Sequence, residues 1–141
     1  MERGDAEAQR RREPSDELNE LGERVLGAAI EVHKHLGPGF PESVYENALC
    51  AELELRGIAF ERQVPIDVFF KERHVGRGKI DIWVDRRIVL ELKTVETVLP
   101  KHRAQGKAYL AATKNELAYV LNFNEAIMED GIHRIVWTKS D

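Results

Sequence analysis

The stretch Gly78–Thr94, GKIDIWVDRRIVLELKT, contains two short apolar segments separated by the charged tripeptide at positions 85–87. Each segment has the composition and alternation typical of a β-strand, so the stretch predicts a hairpin. A slip of one residue would turn every side chain to the opposite face, so the apolar pattern indicates one register. The register that makes one face entirely apolar pairs Val84 with Ile88, Ile82 with Leu90, and Ile80 with Leu92.

The same register gathers charges on the second face. It places Asp81 opposite Glu91, and Lys79 opposite Lys93, with Trp83 on the same face. Like charges directly opposite each other destabilise a sheet. A divalent cation between the two carboxylates would relieve this repulsion, because Mg²⁺ and Mn²⁺ prefer oxygen ligands. The alternative interpretation is a solvated strand face with salt bridges on the diagonals.

Composition limits the class of protein. The 141 residues suit one domain with a core, and 43% hydrophobic with 33% charged residues indicates a globular chain. A formal net charge of -4 gives no global signature of nucleic-acid binding, although local patches matter more than the total. The single cysteine, Cys50, favours a reducing cytoplasm. We expect no membrane span, because no apolar run approaches about 20 residues.

The first half of the chain predicts a tail and two helices. Residues 1–14 carry mixed charges without apolar periodicity and predict a disordered tail, which leaves 15–141 as a single domain. Steps of three and four residues predict a helix that begins near Ser15 or Asp16 and ends before Gly37. A second helix is opened by Pro41. Its predicted buried stripe consists of Val44, Ala48, Ala51 and Leu55.

The second half predicts strands around one further helix. We expect strands at 64–70, 79–84, 88–93, 117–123 and 133–137, a turn region at 71–79, and a helix opened by Pro100. The strand–helix–strand run from Ile88 to Phe123 predicts two parallel strands. The fold class is therefore α/β with a mixed sheet flanked by helices. The apolar pair Phe69 and Phe70 points to a possible homodimer face.

The charged hairpin resembles a known nuclease core. Asp81, nine intervening residues and then Glu91-Leu92-Lys93 resemble the motif of the PD-(D/E)XK nuclease superfamily. The superfamily name implies proline before the aspartate, whereas Ile80 precedes Asp81 here. That position varies within the superfamily.

Two further motifs extend the resemblance to nearly the whole chain except the tail. Gly39, Glu42 and Tyr45 fit the pattern G-x-x-E-x-x-Y and resemble the GxxExxY protein family, which belongs to that superfamily. Gln105 and Tyr109 fit the Q-x-x-x-Y motif of the RecB-like nuclease branch, and their spacing places them on one helical face.

The resemblance implies a restriction-endonuclease-like core and Mg²⁺-dependent hydrolysis of phosphodiester bonds in nucleic acid, with DNA the expected substrate and Mn²⁺ a possible substitute. It implies that Asp81, Glu91 and the main-chain carbonyl of Leu92 hold the metal, and that Lys93 orients the attacking water or stabilises developing charge. The remaining implied residues complete or support the site: Glu42, Tyr45, Gln105 and Tyr109.

Two other functions stay open from the sequence. A nuclease fold that binds nucleic acid or a protein partner without cutting fits the same motifs. A subunit that works only within a larger assembly is the third possibility.

Overall fold

The protein is described by a computed structural model that covers residues 13–137. The described part contains three α-helices, one 3₁₀ helix and five β-strands. In chain order these are α1 (Asp16–Leu36), α2 (Glu42–Leu55), β1 (Phe60–Phe70), β2 (Arg73–Val84), β3 (Ile88–Lys93), α3 (Pro100–Thr113), β4 (Leu117–Asn122), the 3₁₀ helix (Met128–Gly131) and β5 (Ile132–Val136).

The five strands form one mixed sheet in the order β1-β2-β3-β4-β5. The pairs β1–β2, β2–β3 and β4–β5 are antiparallel, whereas β3 and β4 are parallel. The predicted fold class and the parallel pair around α3 are therefore confirmed. None of the helices within 13–137 is long and apolar enough to cross a membrane. The predicted tail falls almost entirely outside the described residues, and the domain boundary stays a prediction.

Helices cover both faces of the sheet, and each face has its own apolar cluster. The larger cluster joins α1 and α2 to one face, through side chains such as Val25, Leu49 and Leu90. The smaller cluster joins α3 to the opposite face, through side chains such as Leu110 and Val89. Because β4 contributes to both clusters, all six of its residues are buried, as expected for a strand that is covered on both faces.

The boundaries of the two N-terminal helices follow the sequence signals. Ser15 caps α1, since its side chain accepts a hydrogen bond from the Leu18 N–H at 3.1 Å.

The predicted buried stripe of α2 is wrong: Leu55 is 82% exposed, and the buried side includes Tyr45, Glu46 and Leu49 instead. Both sides of α2 carry apolar residues, and the side that buries the larger ones gains more apolar contact.

The predicted hairpin register is confirmed for the three pairs next to the turn. Val84 pairs with Ile88, Trp83 with Val89, and Ile82 with Leu90. Ile80 departs from the prediction, because it packs in the smaller cluster with Trp83 rather than in the larger cluster with Ile82. Residues two apart share a face in a regular strand, so the pleat of β2 is interrupted between them, at Asp81.

The predicted turn at 71–79 is also wrong over most of its length. The turn consists of Lys71 and Glu72 alone, both with positive φ (46° and 69°), and β2 begins at Arg73. Two left-handed residues are typical of the tight turn that joins long antiparallel strands, but such turns usually contain Asn or Gly. The long β1–β2 hairpin therefore could not be recognised from its turn residues. We call its outer part, residues 67–77, the hairpin arm.

Candidate active site

Strands β2 and β3 separate at Asp81 and Glu91, and the two carboxylates occupy the gap. The Asp81 N–H donates to Glu91 Oε2 at 3.1 Å, and the Leu92 N–H donates to Asp81 Oδ2 at 2.8 Å. The last ladder pair before the gap is Ile82 with Leu90. Each carboxylate thus accepts a main-chain hydrogen bond from the opposite strand, where a regular ladder would have continued.

The neighbouring strand β1 is irregular at the same level. Arg62 pairs with Ile82 and Val64 pairs with Ile80, but Gln63 forms no ladder pair with Asp81 and has a φ of 50°. Asp81 therefore lies at a break in both of its ladders. This break accounts for the interrupted pleat, and it turns the Asp81 side chain toward β3.

Burial and mutual repulsion make these carboxylates hard to ionise. Glu91 is 2% exposed, and burial together with the nearby charge of Asp81 raises its pKa to about 8. Burial also raises the pKa of Asp81, although the hydrogen bond from Leu92 and the charge of Lys93 oppose the change. The pKa of Glu42, at the start of α2, is raised by partial burial and by Asp81. The three acids therefore share one electrostatic environment with Lys93.

A fourth acid, Glu46, lies one helical turn beyond Glu42. Its carboxylate accepts hydrogen bonds from Arg62 at 2.9 Å and from Gln63 at 2.5 Å. These bonds tie α2 to the irregular segment of β1. The charge of Glu46 is among the influences that raise the pKa of Asp81. Glu46 was not among the predicted site residues, because a glutamate in an amphipathic helix usually faces solvent.

A chain of polar contacts links Lys93 to α3. Lys93 Nζ donates to Gln105 Oε1 at 3.4 Å, and Gln105 Nε2 donates to the Tyr109 hydroxyl at 3.5 Å. The same hydroxyl accepts a hydrogen bond from the Lys79 N–H at 3.1 Å. The structure therefore brings the Q-x-x-x-Y residues next to Lys93, where they can hold the ammonium group in place.

Tyr109 approaches β2 at Gly78, where a side chain would not fit. A Cβ on Gly78 would lie 2.5 Å from Cε1 of the Tyr109 ring. The sequence analysis treated this glycine as part of a turn. Its position shows instead that β2 needs a residue without a side chain there, so that α3 can come close enough to engage Lys93.

We expect Gly78→Ala to lower the free energy of unfolding by about 1–3 kcal/mol, because the methyl group forces the Tyr109 ring away from β2. Urea denaturation checks this. The matched control is Gly78→Ala in a Tyr109→Ala background, where the ring is absent and the added cost should fall close to zero. An equal cost in both backgrounds would contradict the proposed contact.

Tyr45 supports the loop before α2 rather than reaching the acids. Its hydroxyl donates to the Gly37 carbonyl at 2.5 Å and accepts from the Phe40 N–H at 3.1 Å. Its ring stacks on Phe123, with centroids 4.7 Å apart. Gly39, in the same loop, has a φ of 112°, which glycine adopts readily. The G-x-x-E-x-x-Y residues thus form a closed loop that fixes the start of the helix carrying the glutamate.

Replacing Tyr45 by phenylalanine tests this loop. The change keeps the stack on Phe123 but removes both hydrogen bonds, and it leaves two main-chain groups without their partner. We expect Tyr45→Phe to destabilise the protein by about 1–3 kcal/mol, as measured by thermal and urea unfolding. Unfolding unchanged within about 0.5 kcal/mol would mean that solvent replaces the hydroxyl.

Trp83 does not lie at the acidic cluster, although the hairpin register placed it on the same face. It is 9% exposed, packs in the smaller apolar cluster, and donates from Nε1 to Asn115 Oδ1 at 2.8 Å. The Arg86 guanidinium lies over its ring, 4.9 Å from the centroid. Since α3 covers that face of the sheet, Trp83 is a core residue.

The acidic cluster fits a hard divalent cation by the chemistry of its donors. Asp81 and Glu91 each use one carboxylate oxygen for a main-chain hydrogen bond, which leaves the second oxygen of each available. Oxygen donors from two carboxylates, with water, are the ligands that Mg²⁺ usually takes. Within residues 13–137, no group of three or more His, Cys, Asp or Glu side chains is arranged to hold a metal ion. A cation here would therefore need main-chain or water oxygens in addition.

Basic residues of α3 line a separate cavity. A cavity of about 440 Å³ lies between α3 and β5, and Arg103, Lys107 and Arg134 are among its lining residues. Arg134 is paired with Glu13 at 3.0 Å. Across the described 125 residues, neither Arg103 nor Lys107 forms a salt bridge. One side of α3 thus supports Lys93. The adjacent side presents two cations without a carboxylate partner among the described residues, of which Arg103 contacts His133 Nδ1 at 3.3 Å.

Comparison with known proteins identifies the family of the chain. A family model for the PD-(D/E)XK nuclease superfamily matches residues 19–135, which is most of the chain. The chain belongs to the PD-(D/E)XK nuclease superfamily. Neither the curated proteins nor the solved structures gave a significant match. Membership of the superfamily suggests nuclease activity and nucleic-acid binding, and proteins of the superfamily are generally dependent on divalent metals.

Asn122 is a further buried residue beside the site, and it lies in the segment LNFN (121–124), which also resembles the GxxExxY family. It is fully buried, and its side-chain amide bonds both the N–H and the carbonyl of Val95, at 3.1 and 2.8 Å. These bonds fasten the loop that leaves β3 directly after Lys93. In this PD-(D/E)XK chain Asn122 therefore supports the strand end that carries the lysine. An asparagine inside a continuous apolar strand was the available signal.

Proposed function

We propose that this protein is a Mg²⁺-dependent nuclease that hydrolyses phosphodiester bonds in DNA. The single observation that carries the proposal is the convergence of Asp81 and Glu91 from two separated strands, with Lys93 beside them. The motif match to Glu42 and Tyr45 supports placement in the GxxExxY group, and Gln105 with Tyr109 supports the RecB-like branch. A single buried cysteine is consistent with work in the cytoplasm.

Each residue has a proposed task in the reaction. Asp81, Glu91 and the Leu92 carbonyl would hold Mg²⁺, which supplies positive charge beside the scissile phosphate and makes water more acidic. Lys93 would orient the attacking water and stabilise the negative charge that develops on the phosphate. Glu42 would hold a water molecule at the open side of the cluster.

The supporting residues act through geometry. Gln105 and Tyr109 would keep the ammonium group of Lys93 directed at the reacting phosphate, because their contacts fix its position relative to α3. Arg103 and Lys107 would contact the phosphate backbone of the DNA away from the scissile bond, where free cations are favoured by counterion release. These contacts offset the repulsion between DNA and a chain of negative net charge.

A cleavage assay tests the proposal. The wild-type protein is incubated with single- and double-stranded DNA and with RNA, in Mg²⁺, in Mn²⁺ and in EDTA. We expect cleavage of DNA that depends on the metal and that Lys93→Ala lowers at least about a hundredfold. Lys34→Ala, at an exposed position on α1, is the matched control. Absence of cleavage on every substrate, or full activity of Lys93→Ala, would contradict the proposal.

The second candidate is a nuclease-fold module that binds without cutting. The observation that favours it is the pair of main-chain hydrogen bonds to Asp81 and Glu91, because the carboxylates are satisfied in part without a cation. Calorimetric titration with Mn²⁺ separates the two. Binding that disappears in Asp81→Asn supports the enzyme, and no binding at millimolar metal supports the module.

A further inference from the structure

The hairpin arm, residues 67–77, is exposed on both sides. Nine consecutive residues, Asp67 to Val75, are exposed, so neither face of this two-stranded ribbon packs against the rest of the described chain. An isolated two-stranded hairpin is marginally stable in water. The arm therefore adds little to folding, and its length needs another explanation.

Large apolar side chains concentrate at the end of the arm. Phe69, Phe70 and Val75 are 61%, 62% and 58% exposed. The register of β1 against β2 shifts between Val68 and Phe69, and such bulges re-aim side chains and bend the strand. Exposed phenyl rings at the end of a projecting ribbon form a contact surface rather than a core.

The charges of the arm favour an anionic partner. Asp67 is paired with both His74 and Arg77, at 3.0 and 2.9 Å. Among the described residues, Lys71, Glu72 and Arg73 form no salt bridge, and Lys71 Nζ lies 5.4 Å from the centroid of the Phe70 ring. Three Lys and Arg residues against two Asp and Glu residues give the arm a net charge of +1, whereas the chain as a whole has a net charge of -4.

A second copy of the chain fits this surface less well. In a symmetric dimer that meets arm to arm, the same patch lies on both sides of the interface. Each arm has a net charge of +1, so two arms that meet would bring like net charges together, which is unfavourable when the charges leave water.

The base of the arm adjoins the candidate active site. Tyr109, which contacts Gln105, also bonds the Lys79 N–H two residues beyond the arm. An extended strand rises about 3.4 Å per residue, so the eight residues from Asp81 to Arg73 span about 27 Å. That length corresponds to about eight base pairs of a duplex.

From this placement we infer that the hairpin arm lies in a groove of duplex DNA about eight base pairs from the scissile phosphate. A two-stranded ribbon fits the major groove. Lys71 and Arg73 contact phosphates, and Phe69 and Phe70 pack against base edges, as apolar side chains do with the thymine methyl group in the major groove. The inference rests on the proposed function for the choice of DNA as the partner and for the position of the scissile bond.

Fluorescence anisotropy with a labelled 24-base-pair duplex tests the arm. All variants carry Asp81→Asn, so that cleavage does not consume the probe, and circular dichroism verifies that each one is folded. We expect Phe69→Ser/Phe70→Ser to weaken binding about tenfold without changing its salt dependence. We expect Lys71→Ser/Arg73→Ser to reduce the slope of log K against log salt by about two, at about 0.9 for each phosphate contact.

The matched control is Lys34→Ser/Leu55→Ser, which removes one exposed cation and one exposed apolar side chain on α1 and α2. Affinity and slope should stay at the level of the parent protein. Arm variants that bind the duplex as the control does would overturn the inference. So would a loss of binding confined to a single-stranded probe, or a dimer that the Phe69→Ser/Phe70→Ser change splits while duplex affinity is unchanged.

Failure of the arm and failure of the enzyme give different results. If the wild-type protein binds duplex DNA through the arm but never cleaves it, the proposed nuclease activity is contradicted and the inference about the arm still holds. If the arm variants cleave DNA and bind the duplex as well as the parent protein does, only the inference about the arm is contradicted.

Discussion

Asp81→Asn is expected to reduce DNA hydrolysis by at least about a thousandfold, which corresponds to roughly 4 kcal/mol of lost transition-state stabilisation. Asparagine keeps the shape of the side chain, and its amide oxygen still accepts the Leu92 N–H. The fold should therefore persist, while the carboxylate charge needed beside the metal is removed. Single-turnover cleavage of a labelled duplex in saturating Mg²⁺ measures the effect.

Asp85→Asn is the matched control for this change. Asp85 is exposed, lies four residues along the chain in the β2–β3 turn, and has a φ of 52°, which asparagine tolerates well. We expect the control to cleave at the wild-type rate. If Asp81→Asn keeps more than about a tenth of the wild-type rate, Asp81 does not hold the metal and the proposed mechanism is wrong.

The second large effect is a dependence of stability on pH. Burial and the neighbouring Asp81 raise the pKa of Glu91 to about 8, against a usual value of 4.5 in the unfolded chain. The folded state therefore binds more protons than the unfolded state between these two values. Stability from protonated Glu91 is fully present below pH 4.5 and is lost as the pH rises through about 8.

We expect the free energy of unfolding to fall by about 2–3 kcal/mol between pH 6 and pH 9 because of this residue. Glu91→Gln cannot ionise, so its stability should change less over the same interval. Urea denaturation in EDTA at both pH values measures the difference. Glu20→Gln, at an exposed position on α1, is the control, and it should follow the wild type. Equal pH dependence of wild type and Glu91→Gln would contradict the assignment.

Much of the site could be predicted because it depends on local pattern. The three pairs next to the β2–β3 turn follow from apolar alternation, since only one register makes one face of the hairpin entirely apolar. The supporting role of Gln105 and Tyr109 was implied by the family resemblance, and their helical spacing placed them on one face of α3. Their contacts with Lys93 and with each other are seen only in the structure.

The remainder depended on irregular backbone and on packing between distant segments. Ile80 packs in a different cluster from the one predicted because the pleat of β2 is interrupted at Asp81. No residue type in the sequence indicates such an interruption. The outer part of β2 was predicted to be a turn, whereas it is a strand in which Gly78 makes room for Tyr109. Glu46 was missed because its partners, Arg62 and Gln63, come from another element.

The crossed hydrogen bonds of Asp81 and Glu91 make two amide protons into built-in reporters of the cluster. The amides of Asp81 and Leu92 belong to the sheet, yet each is held by a carboxylate rather than by a carbonyl. Protonation or occupation of those carboxylates must alter the two amides directly. In a nitrogen-15 NMR spectrum, the chemical shifts and exchange rates of these two amides would then report the protonation and metal occupancy of the cluster without an added probe.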